Sequence, residues 1–79
     1  MLATVGHPAR TRAPEVLTVR EREVLALVAR GATNRVVAQT LRISAKTVNA
    51  HLEHIFTKLG VTTRGAASFQ AIELGLLDG

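Results

Sequence analysis

The side chains of this 79-residue chain that could carry chemistry are concentrated between residues 46 and 58. His51 and His54 lie three residues apart with Glu53 between them, a spacing that could bring metal ligands together. A zinc site needs three or four convergent ligands. On a helix the two histidines would lie about 60° apart, and no third ligand has a matching spacing. We therefore expect no metal site at these residues.

An enzyme is not expected either. Glu21 and Glu23 fall in the first turn of a predicted helix, where the helix dipole and a capping box account for them. Gly31-Ala32-Thr33-Asn34 is a helix end followed by a helix start, not a phosphate-binding loop. The sequence contains no cysteine, no nucleophile–base pair and no cofactor motif, so we expect no cofactor.

The distribution of charge predicts a polyanionic partner. The formal net charge is +4 and the sequence pI is about 11.2. Between residues 33 and 64 the chain has a single acidic residue, Glu53, and five basic residues, which are Arg35, Arg42, Lys46, Lys58 and Arg64. Aromatic residues make up only 3%, too few for stacking the bases of a single strand. Double-stranded DNA fits this pattern. With no apolar run long enough for a membrane and no signal peptide, we expect a cytoplasmic protein.

Four short helices are predicted to position these residues, between residues 17 and 77. Residues 1–16 contain Pro8 and Pro14 and lack periodicity, which indicates a flexible N-terminal arm or linker. Each helix begins at a residue that can cap free backbone N–H groups, and these residues are Thr18, Thr33, Ser44 and Thr63. Glu21 completes a capping box with Thr18. Gly31 and Gly60 end the first and third helices.

The second and third helices form a helix-turn-helix pair, joined by the turn Arg42-Ile43-Ser44. Ile43 and Val48 can form a hydrophobic staple that directs the chain into the third helix. One side of that helix is predicted to be buried, and its residues are Val48, Leu52, Ile55 and Leu59. The opposite side is polar with short side chains, as a helix in the major groove requires. We therefore predict an all-α, four-helix domain that reads DNA.

These residues also resemble the LuxR-type (GerE-like) helix-turn-helix domains. The resemblance covers about residues 17–77 and is carried by Leu17-Thr18-Val19-Arg20-Glu21-Arg22-Glu23-Val24-Leu25, Gly31-Ala32-Thr33-Asn34, Ile43-Ser44, Lys58-Leu59-Gly60-Val61 and Gly75-Leu76-Leu77. It implies the DNA-binding output domain of a bacterial transcriptional regulator, with the third helix in the major groove. The fourth helix of such domains typically supports dimerisation on inverted half-sites, and an upstream domain supplies the sensing.

Individual contacts are predicted from positions on these helices. Base readout is expected from the outward side of the third helix, at Asn49, Ala50 and Glu53. Phosphate contacts are expected from the ends and flanks of the helix pair, at Arg35, Lys46, Thr47 and Lys58, and the resemblance implies a further contact from His51. A homodimer contact is expected from one side of the fourth helix, at Phe69, Ile72 and Leu76, while Ala67, Ala71 and Leu74 face inward.

Two departures from the family pattern leave alternatives open. Val36 stands where a glutamate is common, which weakens the cap of the second helix. Glu53 stands where many members present a basic or amide residue to DNA, so it either accepts a hydrogen bond from cytosine or repels wrong sequences. Glu53 also supports the alternative function, a helix-turn-helix module that binds RNA polymerase or another protein instead of DNA. The alternative role of Phe69 is to close the core against the first helix.

Overall fold

A computed structural model describes residues 17–76, and within that range it contains four α-helices and no strand. Helix α1 spans Val19–Ala29, α2 spans Asn34–Leu41, α3 spans Ala45–Leu59 and α4 spans Arg64–Glu73. The predicted all-α, four-helix class is confirmed. The predicted arm at residues 1–16 and the last predicted residue, 77, lie outside the described residues.

Each helix begins at the predicted capping residue. Thr18 Oγ1 accepts the N–H of Glu21 at 3.1 Å, and Glu21 Oε1 accepts the N–H of Thr18 at 2.9 Å, which completes the capping box. Single bonds of 3.0–3.2 Å from the backbone N–H three residues ahead cap the other helices, at Thr33, Ser44 and Thr63. Each cap satisfies a donor that the helix itself cannot, and contributes about 1 kcal/mol.

The helix-turn-helix junction depends on a residue with a left-handed backbone. Arg42 ends α2 with φ 60°. This left-handed conformation is energetically less favourable for a residue with a side chain than for glycine. The N–H of Ile43 bonds back to the carbonyl of Ala38 at 3.0 Å, so the chain reverses within three residues. Ile43 then packs against the core beside the start of α3, whose Val48 is fully buried. Of the two predicted staple residues, Val48 thus belongs to the core and Ile43 packs against it.

A small hydrophobic core lies where the four helices meet. Its buried members are Leu17, Val24, Leu25, Val28, Val37, Val48, Leu52, Ile55, Ala67 and Ala71. Helix α1 packs against each of the other three helices. Ala67 and Ala71 of α4 are 0% exposed, and their small size lets α4 approach α1 closely. Burying an aliphatic side chain of this kind contributes roughly 1.5–3 kcal/mol, so this cluster holds the orientation of α3.

The outer side of α4 carries only two of its three predicted residues, Phe69 and Ile72. Phe69 and Ile72 are 59% and 57% exposed, so Phe69 does not close the core. The placement of Leu76 on the same side is wrong, because α4 ends at Glu73 and Gly75 turns the chain with φ 75°. The N–H of Leu76 bonds to the carbonyl of Ala71 at 3.0 Å, and its side chain packs partly against the core.

Candidate nucleic-acid interface

One face of α3 is buried and the opposite face is open. Val48 and Ile55 are 0% exposed and Leu52 is 6% exposed, which confirms the predicted inward stripe, while Leu59 at its end is half-buried. The outward residues are exposed, and they include the three predicted base-reading residues Asn49, Ala50 and Glu53 with their neighbours Lys46, His54 and Thr57. The core therefore presents this polar face outward.

The N-terminal end of α3 is well ordered by its own side chains. Ser44 Oγ accepts the N–H of Thr47 at 3.0 Å and shares a 2.9 Å hydrogen bond with Thr47 Oγ1. Lys46 is exposed, Thr47 is half-buried, and the first turn contains no acid. The positive end of the helix dipole is thus undiminished here, as an approach to phosphate requires.

A polar network that the sequence did not reveal joins three helices at this face. Arg64, at the start of α4, donates from Nη2 to the carbonyl of Ala32 at 2.9 Å and from Nη1 to Oδ1 of Asn34 at 2.8 Å. Asn34, at the start of α2, donates from Nδ2 to Oδ1 of Asn49 on α3 at 2.7 Å. Asn34 lies in the resemblance and Arg64 is one of the basic residues, but no helical spacing relates residues so far apart in sequence.

Lys58, a predicted phosphate contact, has an ion-pair partner within the domain. Its Nζ donates to Oε1 of Glu21 at 2.7 Å, and the two side chains are 31% and 5% exposed. Burial of Glu21 opposes its ionisation, but the bonds from Lys58 and from the Thr18 N–H, with the charges of Lys58 and His54, lower its pKa below the ordinary 4.5. The pair links α3 to α1, at the opposite end of α3 from Lys46.

The other predicted contacts fall in two separate places. Arg35 is exposed in the first turn of α2, next to Asn34, and His51 is half-buried on the flank of α3. Both residues therefore lie beside the outward face of α3. Phe69 and Ile72 lie on α4 instead, on a side that faces away from the core. The structure thus separates a polar face on the helix-turn-helix pair from an apolar patch on α4.

The described residues, 17–76, contain neither a metal-binding cluster nor a pocket nor a membrane-spanning helix. This part of the chain contains no group of three or more histidine, cysteine or acidic side chains that could hold a metal. Its surface forms no pocket. None of its helices is long and apolar enough to cross a membrane.

Two helices joined by a tight turn, the second of them longer, capped and polar on its outer side, define the helix-turn-helix class of DNA-binding proteins. The sequence model of the family described as "Bacterial regulatory proteins, luxR family" matches residues 15–70. The chain belongs to this family. Its members are regulators of transcription and not enzymes, so the expected LuxR-type, DNA-binding, non-enzymatic character is confirmed.

The chain is similar to two regulators over most of its own length. It is similar to the oxygen regulatory protein NreC of Staphylococcus aureus strain JH9, with 41% identity over 64 residues, which are 81% of this chain and 30% of NreC. It is also similar to y4qH of Sinorhizobium fredii, whose name places it with HTH-type transcriptional regulators, with 39% identity over 62 residues. That match covers 78% of this chain and 19% of y4qH. The chain therefore spans less than a third of either relative.

Proposed function

We propose that this domain binds double-stranded DNA in a sequence-specific manner with α3 lying in the major groove, and that it serves as the output domain of a longer regulator. The observation that carries the proposal is that α3 is buried on one side and exposed on the other. Val48 and Ile55 are fully buried, while Asn49, Ala50 and Glu53 are exposed together on the other side. A B-DNA major groove is wide enough for one helix, and base edges there can be distinguished by hydrogen bonds.

Base readout is assigned to the three outward residues. Ala50 is small enough to let the helix approach closely and can contact a thymine methyl group. Glu53 has a carboxylate that can accept a hydrogen bond from the N4 amine of cytosine. Asn49 has a side-chain amide that can form hydrogen bonds with a purine edge. All three lie within five residues, so they would meet neighbouring base pairs.

Phosphate contacts are assigned to the residues around this face. Lys46 and Thr47 lie at the N-terminal end of α3, and Arg35 lies in the first turn of α2. His51 lies on the flank of α3 and can donate to a phosphate oxygen. Lys58 uses one of its three N–H donors in the 2.7 Å bond to Glu21, so a phosphate contact would use another. Contacts of this kind set the orientation of the protein and make affinity depend on salt.

Assembly as a homodimer is assigned to α4. Phe69 and Ile72 form an exposed apolar patch that a second copy could cover across a two-fold axis. Leu76, which packs partly on the core, would contribute only at the edge of that contact. Two copies would place their α3 helices about one turn of DNA apart on inverted half-sites. RNA polymerase is a further proposed partner, and the cytoplasm, where bacterial DNA lies, is the proposed location.

The domain division is proposed on the same basis. Residues 17–77 would form the DNA-binding domain, and residues 1–16 would form an arm or linker that joins it to a sensing domain. The support is the family match over residues 15–70 and the small share of each relative that this chain covers.

Selection of binding sites from a pool of random duplexes tests this function. We expect a defined motif, and a log affinity that falls with log salt concentration by about 0.9 for each phosphate contacted. Ala50→Glu should abolish selection, because it places a carboxylate against the base edges. Val19→Glu is the matched control. Val19 is 64% exposed and lies on α1, close in sequence to Glu21. Glu21 binds Lys58 near the C-terminal end of α3, and Lys58 lies roughly 13 Å from Asn49 along the helix axis.

The alternative function is a module that binds a protein partner, and the exposed carboxylate of Glu53 is the observation that favours it. A protein-binding module would select no motif and would show no steep salt dependence with duplex DNA. Either of those results, obtained with folded protein, would reject the proposed function.

A further inference from the structure

Hydrogen bonds join Arg64 to Asn34 and Asn34 to Asn49, and the donor and acceptor of each bond can be assigned in only one way. The two orientations of an asparagine amide have nearly the same shape, so the chemistry of the partners decides between them. An arginine guanidinium donates and never accepts. Arg64 Nη1 lies 2.8 Å from the side chain of Asn34, so Asn34 must turn its oxygen toward Arg64. The second bond of Arg64, to the carbonyl of Ala32 at 2.9 Å, holds the guanidinium in place.

The orientation of Asn34 then decides the orientation of Asn49. With Oδ1 turned to Arg64, Asn34 presents its Nδ2 donor to Asn49, and the two side chains meet at 2.7 Å. Asn49 must therefore contribute its Oδ1 acceptor to this contact. Its two amide N–H donors are left for the exposed side of α3, on which Asn49 lies.

We propose that Arg64 and Asn34 are positioning residues that make Asn49 a hydrogen-bond donor toward DNA, so that Asn49 selects guanine and disfavours adenine. The inference rests on the proposed function, in which α3 lies in the major groove. An asparagine that recognises adenine uses its oxygen for the N6 amine and its nitrogen for N7. Guanine offers two acceptors there, N7 and O6, and requires donors only. The network engages the atom that adenine recognition needs and leaves the atoms that suit guanine.

The local structure explains why both positioning residues lie within reach. The Thr33 cap makes Asn34 the first residue of α2, and the Thr63 cap makes Arg64 the first residue of α4. The two helix starts converge beside the second turn of α3, which carries Asn49. Asn49 and Arg64 are exposed and Asn34 is half-buried, so the network orients Asn49 at a surface that DNA can reach.

Asn34→Asp tests the inference by reversing the donor. The new carboxylate still accepts from Arg64, but it can only accept from Asn49, which must then turn its Nδ2 inward and present Oδ1 to DNA. An acid in the first turn of a helix is favourable, so this variant should fold. We expect sites selected by the unchanged protein to prefer guanine over adenine roughly tenfold at one position per half-site. In Asn34→Asp that preference should shift to adenine or cytosine, whose exocyclic amines are donors.

Asn49→Ala identifies the position concerned, because only there should the preference disappear. In the Asn49→Ala background, Asn34→Asp should have no further effect at that position. Arg64→Lys keeps a donor beside Asn34 and should keep guanine, whereas Arg64→Ala removes it and should broaden the choice. Circular dichroism checks that each variant is folded. If Asn34→Asp does not fold, the comparison of Arg64→Lys with Arg64→Ala tests the inference instead.

The outcomes separate the inference from the function on which it rests. If the unchanged protein selects a motif with adenine at the Asn49 position, or if Asn49→Ala alters no position, the inference is wrong while the proposed function stands. An unchanged preference in both Asn34→Asp and Arg64→Ala also rejects it. If the unchanged protein selects no motif, the proposed function fails and the inference falls with it.

Discussion

Lys58 donates from Nζ to Oε1 of Glu21 over 2.7 Å, and this bond ties the last turn of α3 to the first turn of α1. The same oxygen accepts the N–H of Thr18 at 2.9 Å, so one buried carboxylate caps α1 and anchors α3. The sequence predicted each half of this arrangement for a different purpose, Glu21 for the cap and Lys58 for DNA. Their bond gives Lys58 a structural role in the free protein.

Removing the charge of Lys58 should therefore destabilise the domain. Lys58→Met keeps most of the side-chain stem but leaves the buried carboxylate of Glu21 without its cation. Hydrogen bonds to charged groups contribute about 1.5–3 kcal/mol, and the partial exposure of Lys58 favours the lower end of that range. Urea denaturation measures the loss. Lys46→Met, at an exposed position, should leave stability unchanged and lower the salt slope of DNA binding by about one.

The pH dependence of stability should report on Glu21. Its pKa is lowered in the folded state, so the native protein favours the ionised form. The corresponding stabilisation is present above the unfolded-state pKa, near 4.5, and is lost as the pH falls through the lowered folded pKa. The free energy of unfolding, measured in urea from pH 7 to pH 2.5, should fall over this window. Glu21→Gln should flatten the fall, whereas Glu53→Gln, which keeps Glu21, should retain it.

Local chemistry explains why the helix boundaries could be predicted. Thr18, Thr33, Ser44 and Thr63 each satisfy a backbone N–H three residues ahead, an interaction that depends only on neighbouring residues. The buried stripe of α3 follows from helical periodicity in the same way. Leu76 was expected on the outer side of α4 because Ile72 and Leu76 continue an apolar spacing, although Gly75 reverses the chain before Leu76. A local turn outweighed the periodic pattern there.

The polar connections of the site depend on tertiary structure, and so the sequence could not reveal them. Arg64 meets Asn34, and Asn34 meets Asn49, only after α2, α3 and α4 have packed around the core. The exposed position of Asn49 was predictable from the helix, but its bond to Asn34 was not. The same holds for Lys58, whose partner is 37 residues away.

The role of Glu53 in specificity can be tested by removing its charge alone. If its carboxylate accepts a hydrogen bond from cytosine, Glu53→Gln should change the preferred base at one position by about 1–3 kcal/mol. Because Glu53 is exposed, the fold should be unaffected. Site selection from a random duplex pool measures the preference. Identical motifs for the two proteins would show that Glu53 does not read a base.

The assignment of faces on α3 predicts different costs for truncating two of its apolar residues. Ile55 is 0% exposed, so Ile55→Ala should cost about 2–5 kcal/mol, enough to unfold a domain of this size. Leu59 is half-buried at the end of the stripe, and Leu59→Ala should cost less. Thermal denaturation compares the two. A folded Leu59→Ala protein that has lost DNA binding would place Leu59 on the reading face and contradict the assignment.

Dimerisation through α4 predicts that its exposed apolar patch matters for assembly and not for folding. Phe69 and Ile72 are both more than half exposed, so Phe69→Ala and Ile72→Glu should remain folded. A patch of two residues is too small for a stable dimer by itself, and the isolated domain should sediment as a monomer or a weak dimer. A duplex with two inverted half-sites should bring two copies together cooperatively, and both substitutions should remove that cooperativity.

Val19→Glu is the control that distinguishes a dimer contact from a general effect of charge. It places the same acid at an apolar residue that is 64% exposed but belongs to α1 and not to the patch on α4. Sedimentation with one-half-site and two-half-site duplexes should show unchanged affinity for a single half-site in all three variants. Cooperativity should survive only in Val19→Glu. If Ile72→Glu is folded and two copies still bind cooperatively, then α4 does not form the dimer surface, and the second copy must contact another part of the chain.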